Sequence, residues 1–344
     1  MVKAVSRAPA YTSGTGGKIY VLSMRNLDRS PAMCCMAELE NILLREHDAE
    51  LCLLPESPAQ ARNATIVCVL LAFYQLPPLE TQLRALREAG NRVVVYLFDC
   101  WDTPHRLYSR GQQFIERLPG PARAIASRLR PAFSLEDSVD RLCLPFRPVY
   151  ESLRPEHRAI ARHVPLATDT TLVNGLNSDR PIAVLAYGRQ LPGITRTVAE
   201  AMNTPESPYI FHHTDHLSIG AIDDMRLHRM HFWKLAQSSL IALAYDPHIT
   251  SPLRVPMSIV GQRWFESLAA GCIVAGSRPS TEEADELLDW PEATIELPEA
   301  PEEALAMLHA LCAEPQKLAT IRERNVEHVR TRHDWRHRLS TILD

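Results

Sequence analysis

The sequence predicts an α/β protein built as two successive Rossmann-like domains. Three observations predict it. Short apolar runs of buried-strand type alternate with amphipathic stretches of helical spacing, the pattern of a parallel sheet covered on both faces. That alternation runs once between residues 18 and 165 and begins again at Pro181. The chain of 344 residues is long for one domain and comfortable for two.

Taken in order, Met1 to Gly17 reads as a flexible leader, and Lys18 to Ser23 as the first strand. A helix follows from about Ala32 to Glu46, then a short strand at Glu50 to Leu54 and an apolar strand at Thr65 to Ala72. Leu79 to Ala89 is an amphipathic helix closed by Gly90, and Asn91 to Phe98 is another buried strand. After an irregular basic stretch come a strand at Asp140 to Pro145, a helix near Val149 to Arg154, and a last strand at His163 to Asp169. The second series reads strand Pro181–Tyr187, helix Gly193–Met202, strand Tyr209–Phe211, helix Arg226–Gln237 and strand Leu240–Ala244. A strand at Thr294 to Leu297 and helices at Glu302–Ala313 and Pro315–Arg332 follow. Trp335, Leu339, Ile342 and Leu343 then fall on one face of a terminal helix. The expected domains are 18–165 and 170–325, with 326–344 returning to the first.

Composition excludes several classes. At 46% hydrophobic and 23% charged the chain builds cores and is not disordered. A net charge of −4 argues against nucleic acid as a partner. Met1 to Lys18 holds no apolar run, so no secretory signal is expected there, and no stretch reaches the roughly 20 apolar residues of a membrane span. The eight cysteines contain no Cys-x-x-Cys pair, and several sit in apolar strands as small hydrophobes. A reduced cytoplasmic compartment is expected. The segment from Arg106 to Arg130 is basic and carries Phe114, Ile115, Leu118, Ile125 and Leu129. It suits either a solvated face or peripheral contact with anionic lipid at the inner membrane face.

The stretch from Arg263 to Arg278 carries the most information. Glu266 lies one turn into a helix, Gly271 ends it, and Cys272 to Ala275 is a short buried strand. This resembles the nucleotide-sugar motif of GT-B glycosyltransferases, in a divergent bacterial form with Arg-x-Phe-Glu before the glycine. Other segments resemble the same family in order along the chain: His163 to Asp169, Ala183 to Arg189, Ser238 to Asp246, and Asp334-Trp335 with its helix. The resemblance implies transfer of a sugar from a nucleotide-sugar donor to an acceptor hydroxyl, with the donor held in the interdomain cleft by the second domain. It implies no metal cofactor. Its acceptor, whether glycan, lipid-linked or small molecule, stays open.

In that reading Glu266 grips the donor ribose, while Gly188 and Arg189 face the diphosphate. The physical chemistry agrees. A nucleotide sugar departs as a diphosphate, so negative charge grows on phosphate oxygens and needs donors aimed there. A helix N-terminus supplies N–H groups and a favourable dipole, and arginine binds two oxygens at once. The run from Arg254 to Gln262 leads into the helix, so Arg189 and Arg263 are the candidate clamps. The plain alternative makes Glu266 a dipole-complementing acid and Arg263 a solvated residue. Where retaining members carry the first glutamate of Glu-x7-Glu this chain has Ser258, and it lacks a lysine near Arg189, for which Arg196 is the candidate substitute.

In the first domain, Asp99 and Asp102 follow a buried strand and are candidate bases for an acceptor hydroxyl, with Trp101 a stacking surface. An N-cap at Asp102 and a packed tryptophan are the alternatives. Arg25 and Arg29 follow the first strand and are candidate acceptor contacts, or belong to an ordinary connecting loop. His212-His-Thr-Asp-His216 follows a strand in the second domain. His213 and Asp215 there suit contact with sugar or phosphate, metal ligation, or loop structure. Two rivals to a transferase are a non-catalytic nucleotide-sugar-binding scaffold and a sugar-nucleotide epimerase of the same fold.

Overall fold

The computed structural model describes residues 17–101, 119, 121, 135–173, 176–214, 222–253 and 255–344. The leader to residue 16, the basic segment 106–130 in nearly its whole length, Asp102, Asp215 and Arg254 lie outside the described residues. The chain divides into an N-terminal unit, within residues 17–165 and 338–344, and a C-terminal unit, within residues 166–337.

The N-terminal unit carries β1 (Ile19–Ser23), β2 (Glu50–Leu53), β3 (Thr65–Leu70), β4 (Arg92–Leu97), β5 (Arg141–Leu144) and β6 (Ala161–His163). They form one parallel six-stranded sheet in the order β2-β1-β3-β4-β5-β6. β1, β3 and β4 are short, apolar and rich in β-branched residues, and Val21, Leu22, Val67, Cys68, Val94 and Val95 have no exposed surface. Helix α1 (Pro31–Glu46) starts where Ser30 caps the Met33 N–H and Pro31 presets the first helical φ. It buries Met33, Met36, Leu39, Ile42 and Leu43, each contributing about 1.5–3 kcal/mol of apolar burial. Helix α2 (Glu80–Glu88) buries Leu83 and Leu86 and ends at Gly90.

The C-terminal unit carries β7 (Ile182–Ala186), β8 (Phe211–His213), β9 (Ser239–Tyr245), β10 (Ile273–Ser277) and β11 (Ile295–Glu296). Their order is β11-β10-β9-β7-β8, again all parallel. Its helices include α3 (Pro192–Met202), α4 (Met225–Gln237), α5 (Gln262–Ala269), α6 (Pro301–Cys312) and α7 (Pro315–Arg332). Ile194 and Val198 of α3, Leu308 of α6 and Ile321 of α7 pack with Val184, Ile241, Leu243 and Ile273 of the sheet. Gly271 closes α5 at φ +74°, donating to the Leu268 carbonyl at 3.0 Å while Cys272 donates to Ser267 at 2.9 Å. Arg322 and Arg180 donate to the Gly271 and Ala270 carbonyls there at 2.8 and 2.7 Å. Helix α8 (Arg336–Leu343) follows, and Trp335, Leu339, Ile342 and Leu343 are all buried. In the N-terminal unit Arg92 and Arg141 donate to its last carbonyls, Leu343 and Thr341. The boundary placed at 326 from the sequence falls inside α7, whose residues stay with the C-terminal unit.

Both sheets reverse their winding at one place, between β1 and β3 and between β7 and β9. In open parallel sheets, ligands bind past the carboxyl ends of strands at such reversals. Two elements differ from the sequence expectation. The strand placed at Tyr209–Phe211 lies at Phe211–His213, because the Asn203 side-chain amide holds both the N–H and the C=O of Phe211 and leaves Ile210 exposed. The strand placed at His163–Asp169 lies at Ala161–His163; Pro165 has no N–H to continue a ladder.

Candidate active site

β7 delivers Tyr187, Gly188, Arg189 and Gln190 at the winding reversal of the C-terminal unit. Gly188 has φ +66°, a left-handed conformation that glycine adopts without penalty. It has a second reason to be glycine: a Cβ there would run into the guanidinium of Arg263. That guanidinium lies over the Tyr187 ring, 5.2 Å from its centroid, and donates through Nη1 to the Arg189 carbonyl at 2.7 Å. The Tyr187 hydroxyl lies 3.0 Å from Ser267 Oγ on α5. Loop and helix are thereby fastened to each other.

α5 begins at Gly261, which offers no side-chain acceptor, so no side chain caps its first N–H groups. The helix turns Trp264, Phe265, Leu268 and Ala269 inward, and Trp264 donates to Thr294 Oγ1 at 2.9 Å. Glu266 is also buried, at 3% exposure. Its Oε1 accepts from Arg229 Nη2 at 2.6 Å. The Arg229 guanidinium in turn lies 4.7 Å from the Phe232 ring centroid and 5.3 Å from that of Trp233. Phe232 meets Tyr187 edge-on at 4.8 Å. α4, α5 and the end of β7 thus share one chain of cations and aromatic rings.

β9 ends at Tyr245, which is 2% exposed, and Asp246 caps the turn after it by accepting the His248 N–H at 2.9 Å. Burial raises the Tyr187 and Tyr245 hydroxyl pKa values above the tyrosine range, against the nearby Arg263 cation. Both therefore remain O–H groups at neutral pH. Burial also lowers the Arg263 pKa, partly offset by Tyr187. Among the described residues, the buried polar atoms of this region without a hydrogen-bond partner include Arg263 Nε, Tyr245 OH and Gln190 Oε1, with Gln262 Oε1 at the start of α5. Each such atom costs about 1–3 kcal/mol if left unpaired.

Gly188, Arg189, Arg263 and Glu266 are accordingly brought together. Ser258 is half-buried in the run leading to α5. His213 ends β8, opposite Ala186 in register, and its exposed ring stacks on Phe211 at 5.3 Å. In the N-terminal unit, Arg25 turns inward: it pairs with Glu40 and donates to Asn41 Oδ1 at 2.8 Å and the Ala37 carbonyl at 3.1 Å. Its guanidinium fastens the loop after β1 to α1. Arg29 is exposed. Asp99 follows β4 and its N–H reaches the Leu71 carbonyl at 2.7 Å, while Trp101 stacks on Phe146 at 6.0 Å, the packed alternative for that ring. Burial raises the pKa of Tyr74, whose phenol is half exposed, and Asp28 and Asp99 add to the shift.

Sequence reading missed Arg229, Tyr187, Gln190 and Tyr245. Tyr187 and Tyr245 were findable, because each stands at the carboxyl end of a strand flanking the reversal. Arg229 gave no signal, since its partner is 37 positions away. Among the described residues no group of three or more His, Cys, Asp or Glu is assembled to hold a metal, and no helix is long and apolar enough to cross a membrane. Among the described residues no cysteine is in a disulfide, and burial pushes the thiol of Cys143 up to about 12 and that of Cys312 to about 11.

Residues 213–344 match the family described as "Glycosyl transferase-like". No curated protein matches the chain. Among solved structures it is similar to the glycosyltransferase of kitacinnamycin, at 12% identity over 95% of this chain and 98% of that one, with a TM-score of 0.45. It is similar also to the calicheamicin glycosyltransferase, at 12% identity over 93% and 96%, with a TM-score of 0.40. A glycosyltransferase involved in avilamycin A biosynthesis matches at 16% identity over 91% and 97%, with a TM-score of 0.42. The chain carries two parallel Rossmann-like sheets, and the match to the glycosyl transferase-like family lies within its residues 213–344.

Proposed function

We propose that the protein is a metal-independent glycosyltransferase whose C-terminal unit holds a nucleotide-sugar donor. The observation that carries this reading is Arg263, lodged against Gly188 at the end of β7 with a buried Nε that has no partner. A diphosphate bound there would meet the uncapped N-terminus of α5 and the cations of Arg263 and Arg189, which stabilise the charge that grows as the diphosphate leaves. Glu266 would take the ribose hydroxyls, with Arg229 holding one of its oxygens. His213 and Asp215 would touch the sugar or phosphate. Ser258 offers no carboxylate at the position where the retaining members have one.

The acceptor would bind at the carboxyl end of the N-terminal sheet, near Asp99, Asp102, Trp101 and Arg29. Asp99 or Asp102 would take the proton of the attacking hydroxyl while the nucleoside diphosphate leaves. Arg25 would act there through Glu40 by shaping the loop after β1. The compartment proposed is the cytoplasm, with residues 106–130 available for contact with the membrane surface. A non-catalytic nucleotide-sugar-binding protein is the second reading, favoured by Ser258.

The test is a thermal-shift panel of nucleoside diphosphates and nucleotide sugars on wild type and Glu266→Gln. Stabilisation by one nucleotide, reduced in the variant, is the expected result, since a ligand that binds only the folded state raises apparent stability. If no nucleotide shifts the wild type, the donor reading is wrong. Nucleotide binding without transfer to any hydroxylated acceptor would favour the second reading.

A further inference from the structure

The donor reading leaves two buried side chains at the winding reversal unexplained. Gln190 is 6% exposed and Tyr245 is 2% exposed. The Gln190 amide is not free to choose its orientation. Its Nε2 donates to the Tyr187 carbonyl at 2.9 Å, which fixes Oε1 as an acceptor, and that acceptor has no partner. The same Nε2 lies 3.5 Å from the Leu243 carbonyl on β9, two residues before Tyr245. The Tyr245 hydroxyl, able to donate and accept, also has no partner. Arg263 Nε–H, a donor with a cationic charge behind it, is a third unpaired atom. All three belong to the carboxyl ends of β7 and β9 and the helix that closes over them.

The set asks for a particular chemistry. An unpaired carbonyl oxygen calls for a hydroxyl that donates. A phenolic O–H serves a hydroxyl in either sense. An arginine N–H calls for an anionic oxygen. In the donor reading the ribose hydroxyls of a nucleoside diphosphate go to Glu266 and its phosphate oxygens to Arg263, which leaves the Gln190 oxygen without a donor. A sugar carried on a phosphate supplies both the donating hydroxyl and the anionic oxygen. Resting on the proposed donor reading, we infer that Gln190 and Tyr245 recognise hydroxyls of the transferred sugar and so set which nucleotide sugar is used, with Arg263 Nε on the adjoining phosphate.

The experiment compares wild type, Tyr245→Phe and Gln190→Met by isothermal titration calorimetry with UDP, GDP, ADP and dTDP and with the hexose conjugate of each. Tyr245→Phe keeps the ring and its packing, and thermal melting checks that each variant is folded. For whichever nucleotide binds the wild type, both variants should bind the hexose conjugate tenfold or more weakly and the free diphosphate within twofold of wild type. Tyr245→Phe should also leave the melting temperature of the ligand-free protein equal or higher, since it removes a polar atom without a partner. Equal weakening for diphosphate and conjugate would overturn the inference and leave the donor reading standing. Unchanged affinity for both would do the same. Absence of binding by every nucleotide and conjugate to the wild type would overturn the donor reading itself, and this inference with it.

Discussion

Arg229 on α4 meets the Glu266 carboxylate on α5 at 2.6 Å, and the two side chains keep only 12% and 4% of their surface in water. Removing one partner of a buried pair strands the other charge, which costs about 3–5 kcal/mol, whereas replacing both by apolar residues of similar volume is often neutral. Arg229→Met and Glu266→Met should therefore each destabilise strongly, and the double variant should recover most of the loss. Urea unfolding in a double-mutant cycle measures it. Additive losses would show that the pair is not the source.

Gly188 and Arg263 make a second dependence that can be separated by background. Alanine at position 188 would have to hold φ +66°, at about 1–2 kcal/mol, and would also push Arg263 off its site. Gly188→Ala should lower the melting temperature more in wild type than in an Arg263→Ala background, where the conformational cost remains and the collision is gone. Equal effects in the two backgrounds would mean that the guanidinium does not press on the glycine.

Glu40 gives the N-terminal unit a pH signature. Burial raises its pKa above the ordinary value of 4.5, opposed by Arg25 and by the Ser23 hydroxyl, which donates to Oε2 at 2.9 Å. The folded state then holds this proton more tightly than the unfolded state, so the contribution to stability is complete below about pH 4.5 and is lost as pH rises through the folded pKa. The stability of wild type relative to Glu40→Gln should decline as pH rises above 4.5. Unfolding curves across that range test it, and a difference that rises with pH would contradict the burial argument.

The two sheets could be read in the sequence because buried parallel strands announce themselves as apolar runs. The winding reversals could not, since strand order depends on which neighbour each run pairs with, and β1 pairs with β3 by contacts more than 40 positions apart. Arg263, Gly188 and Glu266 stood out because a motif marked them, and the local fold does bring them together. Arg25 shows the limit. An arginine after a first strand looks like a ligand contact, but the acid that claims it, Glu40, sits one face of a helix away and looks like any other helical glutamate. The partners of buried polar groups are a tertiary property, and a single chain read in order does not display them.

Asp334 and Arg332 stand two positions apart and predict opposite outcomes. Asp334 is 1% exposed, and four donors converge on it. Thr170 gives its N–H at 2.9 Å and its hydroxyl at 2.6 Å, and Arg336 gives its N–H at 2.9 Å and Nη1 at 2.8 Å. Around this carboxylate Thr168 donates to His333 at 3.0 Å and Trp335 donates to Thr168 at 3.1 Å. The pinned segments flank both positions where the chain passes between the two units. Asparagine would put an amide donor against donors, so Asp334→Asn should cost roughly 3 kcal/mol and speed amide exchange at Thr168, Thr170 and Trp335. Arg332 pairs with Asp289 at the surface, where such pairs contribute about 0–1 kcal/mol. Arg332→Ala should change stability by less than about 1 kcal/mol and leave exchange at those amides unchanged. If Asp334→Asn behaved like Arg332→Ala, the convergence of donors on Asp334 would not be what holds these segments together.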